Sequence, residues 1–188
     1  MTAIIIPRKK FAVYDNETTG LTVHPKASLS LQPRIIEFAG IITDGIEILD
    51  EIEFICNPQQ AIEEIITKIT GLKNEDLEDK PPFEHFIPQV AAYFAQADVA
   101  VAHNLSFDRA LLQYDMQRAD RDFEELNFPK ILCCTVEQSM HQFGRRMKLS
   151  ELYELYIGPY VQKHRAMDDI RLLHAVCGAM GVYNAFNQ

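Results

Sequence analysis

Apolar and polar positions divide the chain into a strand-rich first third and a remainder in which helical and strand periods alternate. Phe11-Ala12-Val13-Tyr14 is an apolar run followed at once by Asp15-Asn16-Glu17-Thr18-Thr19-Gly20. A run of that length, closed by a polar stretch and a glycine, predicts a buried strand with polar side chains at its end. Arg34 to Thr43 predicts a second strand, Asp44-Gly45 a hairpin turn, and the alternation from Ile46 to Cys56 a third strand, so the three form an antiparallel meander. Thr22 to Pro33, between the first two strands, is a polar loop containing two prolines.

Beyond the meander, Phe86, Val90, Tyr93 and Phe94 fall on one helical face. Val99-Ala100-Val101-Ala102 predicts a short buried strand, and Phe107, Ala110, Leu111 and Tyr114 recur at helical spacing, with Ser106 as the N-cap and Asp108 in the first turn. Ile131 to Thr135 predicts the last strand. Leu149, Leu152, Tyr153 and Tyr156 mark a short helix, and Ala166, Ile170, Leu173, Cys177 and Met180 the stripe of the final one. This succession predicts an α/β fold: a mixed sheet of about five strands, three antiparallel and then parallel additions, covered by helices. No internal repeat, low-complexity tract or Gly/Ser-rich linker interrupts the chain, so one domain is expected over residues 1–188.

Composition narrows the setting. With 188 residues and 47% apolar content the chain can bury one sizeable core. Runs such as Ile4-Ile5-Ile6 fall far short of the roughly 20 apolar residues that span a bilayer. Arg8-Lys9-Lys10 follows that run instead of preceding it, so neither a secretory signal nor a membrane anchor or membrane partner is expected. Cys133 and Cys134 are adjacent, Cys56 and Cys177 are isolated, and no C-x-x-C pair occurs. That usage argues for reduced thiols in a cytoplasmic protein, against a zinc site or disulfide framework. A formal net charge of -9 disfavours a protein that coats nucleic acid by counterion release. It leaves room for an enzyme that grips one chain end through a local basic rim. Arg8-Lys9-Lys10 and Arg145-Arg146-Met147-Lys148 are candidates for that rim, with ordinary solvated loops as the alternative.

Asp15 and Glu17 bring in the chemistry. Residues i and i+2 of a strand share a face, so the two carboxylates project side by side and repel unless a cation lies between them. A hard ion such as Mg²⁺ or Mn²⁺ takes oxygen ligands and is commonly held by one or two carboxylates plus substrate phosphate and water. A solvated strand end would carry the same pair, so the reading needs further groups. His103-Asn104-Leu105-Ser106-Phe107-Asp108 opens the helix after the fourth strand, where the helix dipole favours an ionised carboxylate. His164-Arg165-Ala166-Met167-Asp168-Asp169 sets a histidine just before the final helix and carboxylates in its first turn, so a general base and a metal ligand can face one cleft. Taken singly, the two clusters read better as a helix-start acid and a surface ion-pair partner, and it is the ordered set that points to chemistry.

In this order, Asp15-Asn16-Glu17-Thr18-Thr19-Gly20-Leu21, His103 to Asp108 and His164-Arg165-Ala166-x-x-Asp169 resemble the motifs of the DEDDh branch of the 3′→5′ exonuclease superfamily. That branch has a ribonuclease H-like fold and includes the proofreading subunit of bacterial replicative DNA polymerase, ribonuclease T and oligoribonuclease. Weaker echoes lie in Arg34-Ile35-Ile36-Glu37 and Ile69-Thr70-Gly71-Leu72, and the resemblance runs from about Phe11 to Cys177. It implies that Asp15, Glu17, Asp108 and Asp169 hold two divalent cations, Mg²⁺ or Mn²⁺, and that His164 is the general base. The family pattern selects Asp169 over Asp168. Thr18 and Leu21 match positions that embrace the terminal nucleotide, and His103, Asn104 and Phe107 match positions near the scissile end, with packing or turn roles as alternatives for all five.

The implied activity is metal-dependent hydrolysis from the 3′ end of single-stranded or frayed DNA, releasing nucleoside 5′-monophosphates. An RNA-trimming exoribonuclease and a non-catalytic nucleic-acid-binding module are the alternatives. The implied partners are nucleic-acid 3′ ends and, in trans, a DNA polymerase or another replication or repair protein. Because the chain stops soon after its last periodic segment, a free-standing enzyme, or one with a small partner, is expected over a stable polymerase subunit. Two features depart from the family. Asn16 stands where an apolar residue or Thr is common, should point to the opposite face of the sheet, and needs a hydrogen-bond partner if buried. The segment from Gly20 to Arg34 is also longer than in many relatives.

Overall fold

A computed structural model describes residues 8–160 and 165–187. Its strands are β1 (Phe11–Thr18), β2 (Ile35–Thr43), β3 (Ile48–Ile55), β4 (Val99–Ala102) and β5 (Ile131–Cys134), hydrogen-bonded in the order β3-β2-β1-β4-β5. β1 pairs antiparallel with β2, and β2 with β3, whereas β1–β4 and β4–β5 are parallel. The mixed sheet expected from the sequence is therefore present. The helices are α1 (Glu64–Thr70), α2 (Asn74–Glu78), α3 (Ile87–Phe94), α4 (Leu105–Arg118), α5 (Thr135–Phe143), α6 (Leu149–Tyr156), α7 (Ala166–Ala179) and α8 (Val182–Phe186).

β1 is the central strand and is covered on both faces. Ala12 and Tyr14 enter one core with Val90 and Phe94 of α3 and Leu111 and Met116 of α4. Phe11 and Val13 enter the other with Ile170, Leu173 and Cys177 of α7. This two-sided burial is why its first four residues read as a continuous apolar run without alternation. Two consequences reach the site. Every even residue of β1 faces α3 and α4, and every odd residue faces α7.

One close approach ties α3 to the sheet. The Tyr93 hydroxyl lies 2.9 Å from the Val13 carbonyl and 3.1 Å from that of Ile41, so it is shared between adjacent strands. The ring crosses β2 at Gly40, where an added Cβ would sit 2.5 Å from the Tyr93 ring and hydroxyl. A glycine inside a buried strand here marks that approach.

The loop from Thr22 to Pro33 is organised by side chains at its far end. Arg118, in the last turn of α4, donates to the carbonyls of Leu29, Gln32 and Pro33 at 2.9, 2.7 and 3.1 Å and pairs with buried Asp115 at 2.7 Å. Asp115 also accepts the Ile35 amide at 3.0 Å, fixing the start of β2. Buried Gln32 accepts from the Val23 amide and donates to the His24 carbonyl. The polar composition of this loop is thus used internally, to satisfy its own backbone.

Several features differ from the sequence expectation, among them α1 and α2, which fall where the sequence predicts no helix. The N-cap of α4 is Asn104, in the left-handed region at φ 71°, and Ser106 lies inside the first turn. Only two residues separate β4 from α4, and a reversal that tight needs a left-handed residue, a conformation Asn tolerates and most residues do not. α5 has a polar sequence with few apolar positions, and α8 extends the chain past the expected last helix after Gly181 at φ 73°. All four cysteines are unpaired and buried, and no helix among the described residues is long and apolar enough to cross a membrane.

Gly40→Ala should lower stability by about 1–3 kcal/mol, because the methyl group meets a ring that two carbonyls hold in place. Urea titration would register this as a lower midpoint with an unchanged slope.

Candidate active site

Strand alternation assembles the site. Asp15 and Glu17 are odd residues of β1 and point to the α7 face, where Asp169 occupies the first turn of α7. One carboxylate oxygen from each of the three lies within 4.8 Å of the others. A register shift between Glu17 and Thr18 ends the regular β1–β2 ladder at this point. Bulges of this kind re-aim side chains beside active sites. The Tyr160 hydroxyl donates to Asp169 Oδ1 at 3.3 Å. Asp168 is directed elsewhere, lining a separate depression with Tyr153 and Arg171.

Asp108 approaches from the other side. Asn16, the even residue between the two acids, points to the α4 face and is 6% exposed. Its Nδ2 donates to Asp108 Oδ1 at 3.1 Å, which supplies the partner that a buried amide requires. The four carboxylates implied by the resemblance are thus divided, three converging on the α7 face and Asp108 held by Asn16 on the α4 face. Asp108 remains close enough to Asp15 to repel its charge. The Oδ1 of Asn16 is buried without a partner among the described residues.

The electrostatics ask for a cation. Burial pushes the Asp15 carboxyl well above the usual range, and repulsion from Asp108, Glu17 and Asp169 adds to it. Glu17 is pushed up to about 7, first by burial and then by Glu37 and Asp169, with Arg165 opposing. Asp108 also rises to about 7, mainly by burial, against the lowering effect of its bonds to Asn16. Acids raised by burial and by one another in this way form a hard-oxygen donor set suited to a divalent ion. The residues present therefore fit such an ion.

A cleft of about 430 Å³ opens at this cluster, lined by Asp15 and Asp169 together with His103, Lys148, Ser150 and Tyr160. That volume lies within the range of small-molecule sites. His103 Nδ1 is 2.8 Å from the Thr135 hydroxyl, and burial lowers the ring to about 4, so it is neutral near physiological pH. Asn104 Oδ1 accepts from Arg146 at 3.2 Å. Thr18 uses its hydroxyl within its own turn, donating to the Gly20 carbonyl. Phe107 packs on the α3–α4 core. Of the five residues assigned to the nucleic acid by resemblance, Leu21 is the one left projecting, 82% exposed. His164 lies outside the described residues.

Sequence reasoning passed over Tyr160, Lys148 and Glu37 as parts of this site. Tyr160 follows a non-periodic segment and left no signal. Lys148 was visible only as part of a basic cluster. Glu37 was visible in Ile35-Ile36-Glu37, and the strand register that sets it opposite Glu17 was the missing piece.

A five-stranded mixed sheet with an acidic cluster at the end of its central strand is the architecture of the ribonuclease H-like nucleases. The profile of a family described as exonuclease matches residues 12–177, and the chain belongs to that family, within the DEDDh 3′→5′ exonuclease superfamily. Over 164 residues it is 30% identical to a DNA polymerase III PolC-type from Caldanaerobacter subterraneus subsp. tengcongensis, covering 86% of this chain and 11% of that one. Over 169 residues it is 30% identical to the 3′-5′ exonuclease DinG of Bacillus subtilis, covering 86% and 16%. The chain thus spans under a fifth of the length of these relatives. Its fold is also similar to the nuclease domain of 3′hExo, a DEDDh family member solved bound to rAMP, with a TM-score of 0.71 at 13% identity and coverage of 96% and 94%.

The raised acids set a pH dependence. In the metal-free protein the folded state keeps protons that the unfolded chain has already lost above about pH 4.5. Stability should therefore fall as pH rises from about 5 through 7, the region where Glu17 and Asp108 ionise. Divalent cation should reverse the loss, with a larger gain in melting temperature at pH 8 than at pH 5. Thermal melts in chelator and in millimolar Mg²⁺ across this range check it, and identical melts at pH 8 would refute the metal assignment.

Proposed function

We propose that this chain is a 3′→5′ exonuclease that hydrolyses single-stranded or frayed DNA from its 3′ end and releases nucleoside 5′-monophosphates. The observation that carries the reading is the convergence of Asp15, Glu17 and Asp169 within 4.8 Å beside a cleft that Asp15 and Asp169 line, in a chain of the exonuclease family. DNA is favoured over RNA because the relatives near 30% identity include PolC-type DNA polymerases.

Asp15, Glu17 and Asp169, with Asp108 from the α4 side, would hold two divalent cations, Mg²⁺ or Mn²⁺. Bound there, such ions supply an activated water and stabilise the charge that develops on the leaving 3′ oxygen. Lys148 lines the same cleft, where an ammonium can pair with a non-bridging phosphate oxygen. Leu21 offers apolar surface to the terminal base. Neutral His103 leaves proton transfer to His164, which accepts the proton of the attacking water. The reaction breaks the bond from phosphorus to the 3′ oxygen, so the phosphate stays with the released nucleotide. Partners in this reading are nucleic-acid 3′ ends and, in trans, a polymerase or other replication or repair protein. The buried, unpaired cysteines are compatible with a cytoplasmic setting.

Incubated with 5′-labelled DNA and RNA of matched sequence and Mg²⁺ or Mn²⁺, the wild-type chain should produce a ladder that shortens from the 3′ end, faster on DNA. Chelator or Asp15→Ala should abolish it, and no degradation of either strand would overturn the reading. A faster RNA ladder would instead make the enzyme an exoribonuclease.

His164→Ala should slow single-turnover hydrolysis by about 10²–10⁴-fold. If His164 is the base, the wild-type rate should climb with pH as its ring loses the proton, an unperturbed imidazole titrating near 6.5. The variant should lose that climb. Equal pH-rate profiles for the two proteins would remove His164 as the base.

A further inference from the structure

Glu37 is fully buried, yet it is not one of the clustered carboxylates. Its Cα pairs with that of Glu17 across β1 and β2, and both side chains lie on the α7 face. Like charges directly opposite on one face of a sheet are destabilising. The compensation comes from Arg165. Its Nη2 donates to Glu37 Oε1 at 2.7 Å, and its Nε lies 3.1 and 3.3 Å from the two carboxylate oxygens. Such a fork fixes orientation as well as charge.

Arg165 is also the residue from which α7 starts. Its backbone carbonyl accepts the Asp169 amide at 3.0 Å, the first intrahelical bond of that turn. One residue therefore grips β2 with its side chain and the Asp169 backbone with its carbonyl. We propose that Glu37 and Arg165 act as one positioning unit that docks the first turn of α7 on β2 and so sets Asp169 against Asp15 and Glu17. The inference rests on the nuclease reading above. It assigns the pair no contact with substrate. Its effect passes through Asp169.

Two measurements on the full chain test it. The first is turnover of labelled single-stranded DNA well below the melting temperature, for Glu37→Gln, Arg165→Met, Arg165→Lys and the double variant Glu37→Gln/Arg165→Met. Each uncharged single variant should lower kcat about 10–100-fold, the loss typical when a group orienting a metal ligand is removed. KM for the oligonucleotide should stay within about twofold, since neither residue touches substrate. The double variant should be no worse than the poorer single one, because the two act as a unit. Arg165→Lys keeps the charge without the fork and should fall between wild type and Arg165→Met.

The second measurement is the Mg²⁺-induced rise in melting temperature, which needs no turnover. It should shrink in Glu37→Gln and in Arg165→Met, and persist in Gly40→Ala, which loosens the core away from α7. Additive kcat losses, an unchanged kcat in Arg165→Met, or an equal loss in Gly40→Ala would reduce the pair to a stabilising contact and overturn the proposal. Wild-type protein that degrades nothing, yet keeps a Mg²⁺ shift sensitive to both residues, would overturn the nuclease reading and leave the positioning unit standing. If Arg165→Met fails to fold, Glu37→Gln carries both readouts.

Discussion

The two-residue period of β1 is the constraint on which the rest depends. A central strand covered on both faces must send its side chains alternately into two different layers, and the chain uses both layers to build one site. The apolar half of the strand feeds the α3–α4 core with even positions and the α7 core with odd ones. Where the strand turns polar the same alternation persists. Asp15 and Glu17 meet Asp169 from α7, and Asn16 meets Asp108 from α4. Slipping the strand by one residue would exchange the layers and scatter the carboxylates, so the packing of Ala12, Val13 and Tyr14 is also what registers the chemistry.

Concentrating acids at the end of a buried strand has an electrostatic cost, and the surroundings answer it in different ways. Asn16 donates to Asp108, Tyr160 donates to Asp169, and Arg165 neutralises Glu37. Asp15 is opposed by three other carboxylates, Asp108, Glu17 and Asp169. The negative charge left at the centre makes the cluster a donor set suited to a hard cation. The formal charge of -9 is thus partly a property of the site. On the edge strand β3, exposed Asp50, Glu51 and Glu53 contribute charge of another kind, discouraging pairing with a second sheet.

Much of this was legible in the sequence because strong local rules and tertiary demands agreed. Apolar runs gave β1 and β4, Asp44-Gly45 located the hairpin, and the stripe from Ala166 to Cys177 located α7. Asp169 is the acid in the three-carboxylate cluster, as the family pattern selects. What could not be read depended on register or on tertiary support. Asn104 caps α4 because the chain must reverse within two residues, which propensity alone does not reveal. α5 is a polar helix with few buried positions, so its period is faint. The partners of Asn16 and Glu37 lie 92 and 128 residues away, beyond any local pattern.

That last separation bears on how the chain folds as it is synthesised. N-terminal segments become available first, so β1 and β2 can pair as a local hairpin long before Arg165 exists. Until then Glu17 and Glu37 oppose each other with no guanidinium to relieve them, which weakens that end of the hairpin. Docking of α7 brings Arg165 to Glu37 and removes the weakness. The helix that completes the active site therefore also closes a latent weak point in the sheet, so a ribosome-bound chain should zip this end of β1 and β2 last.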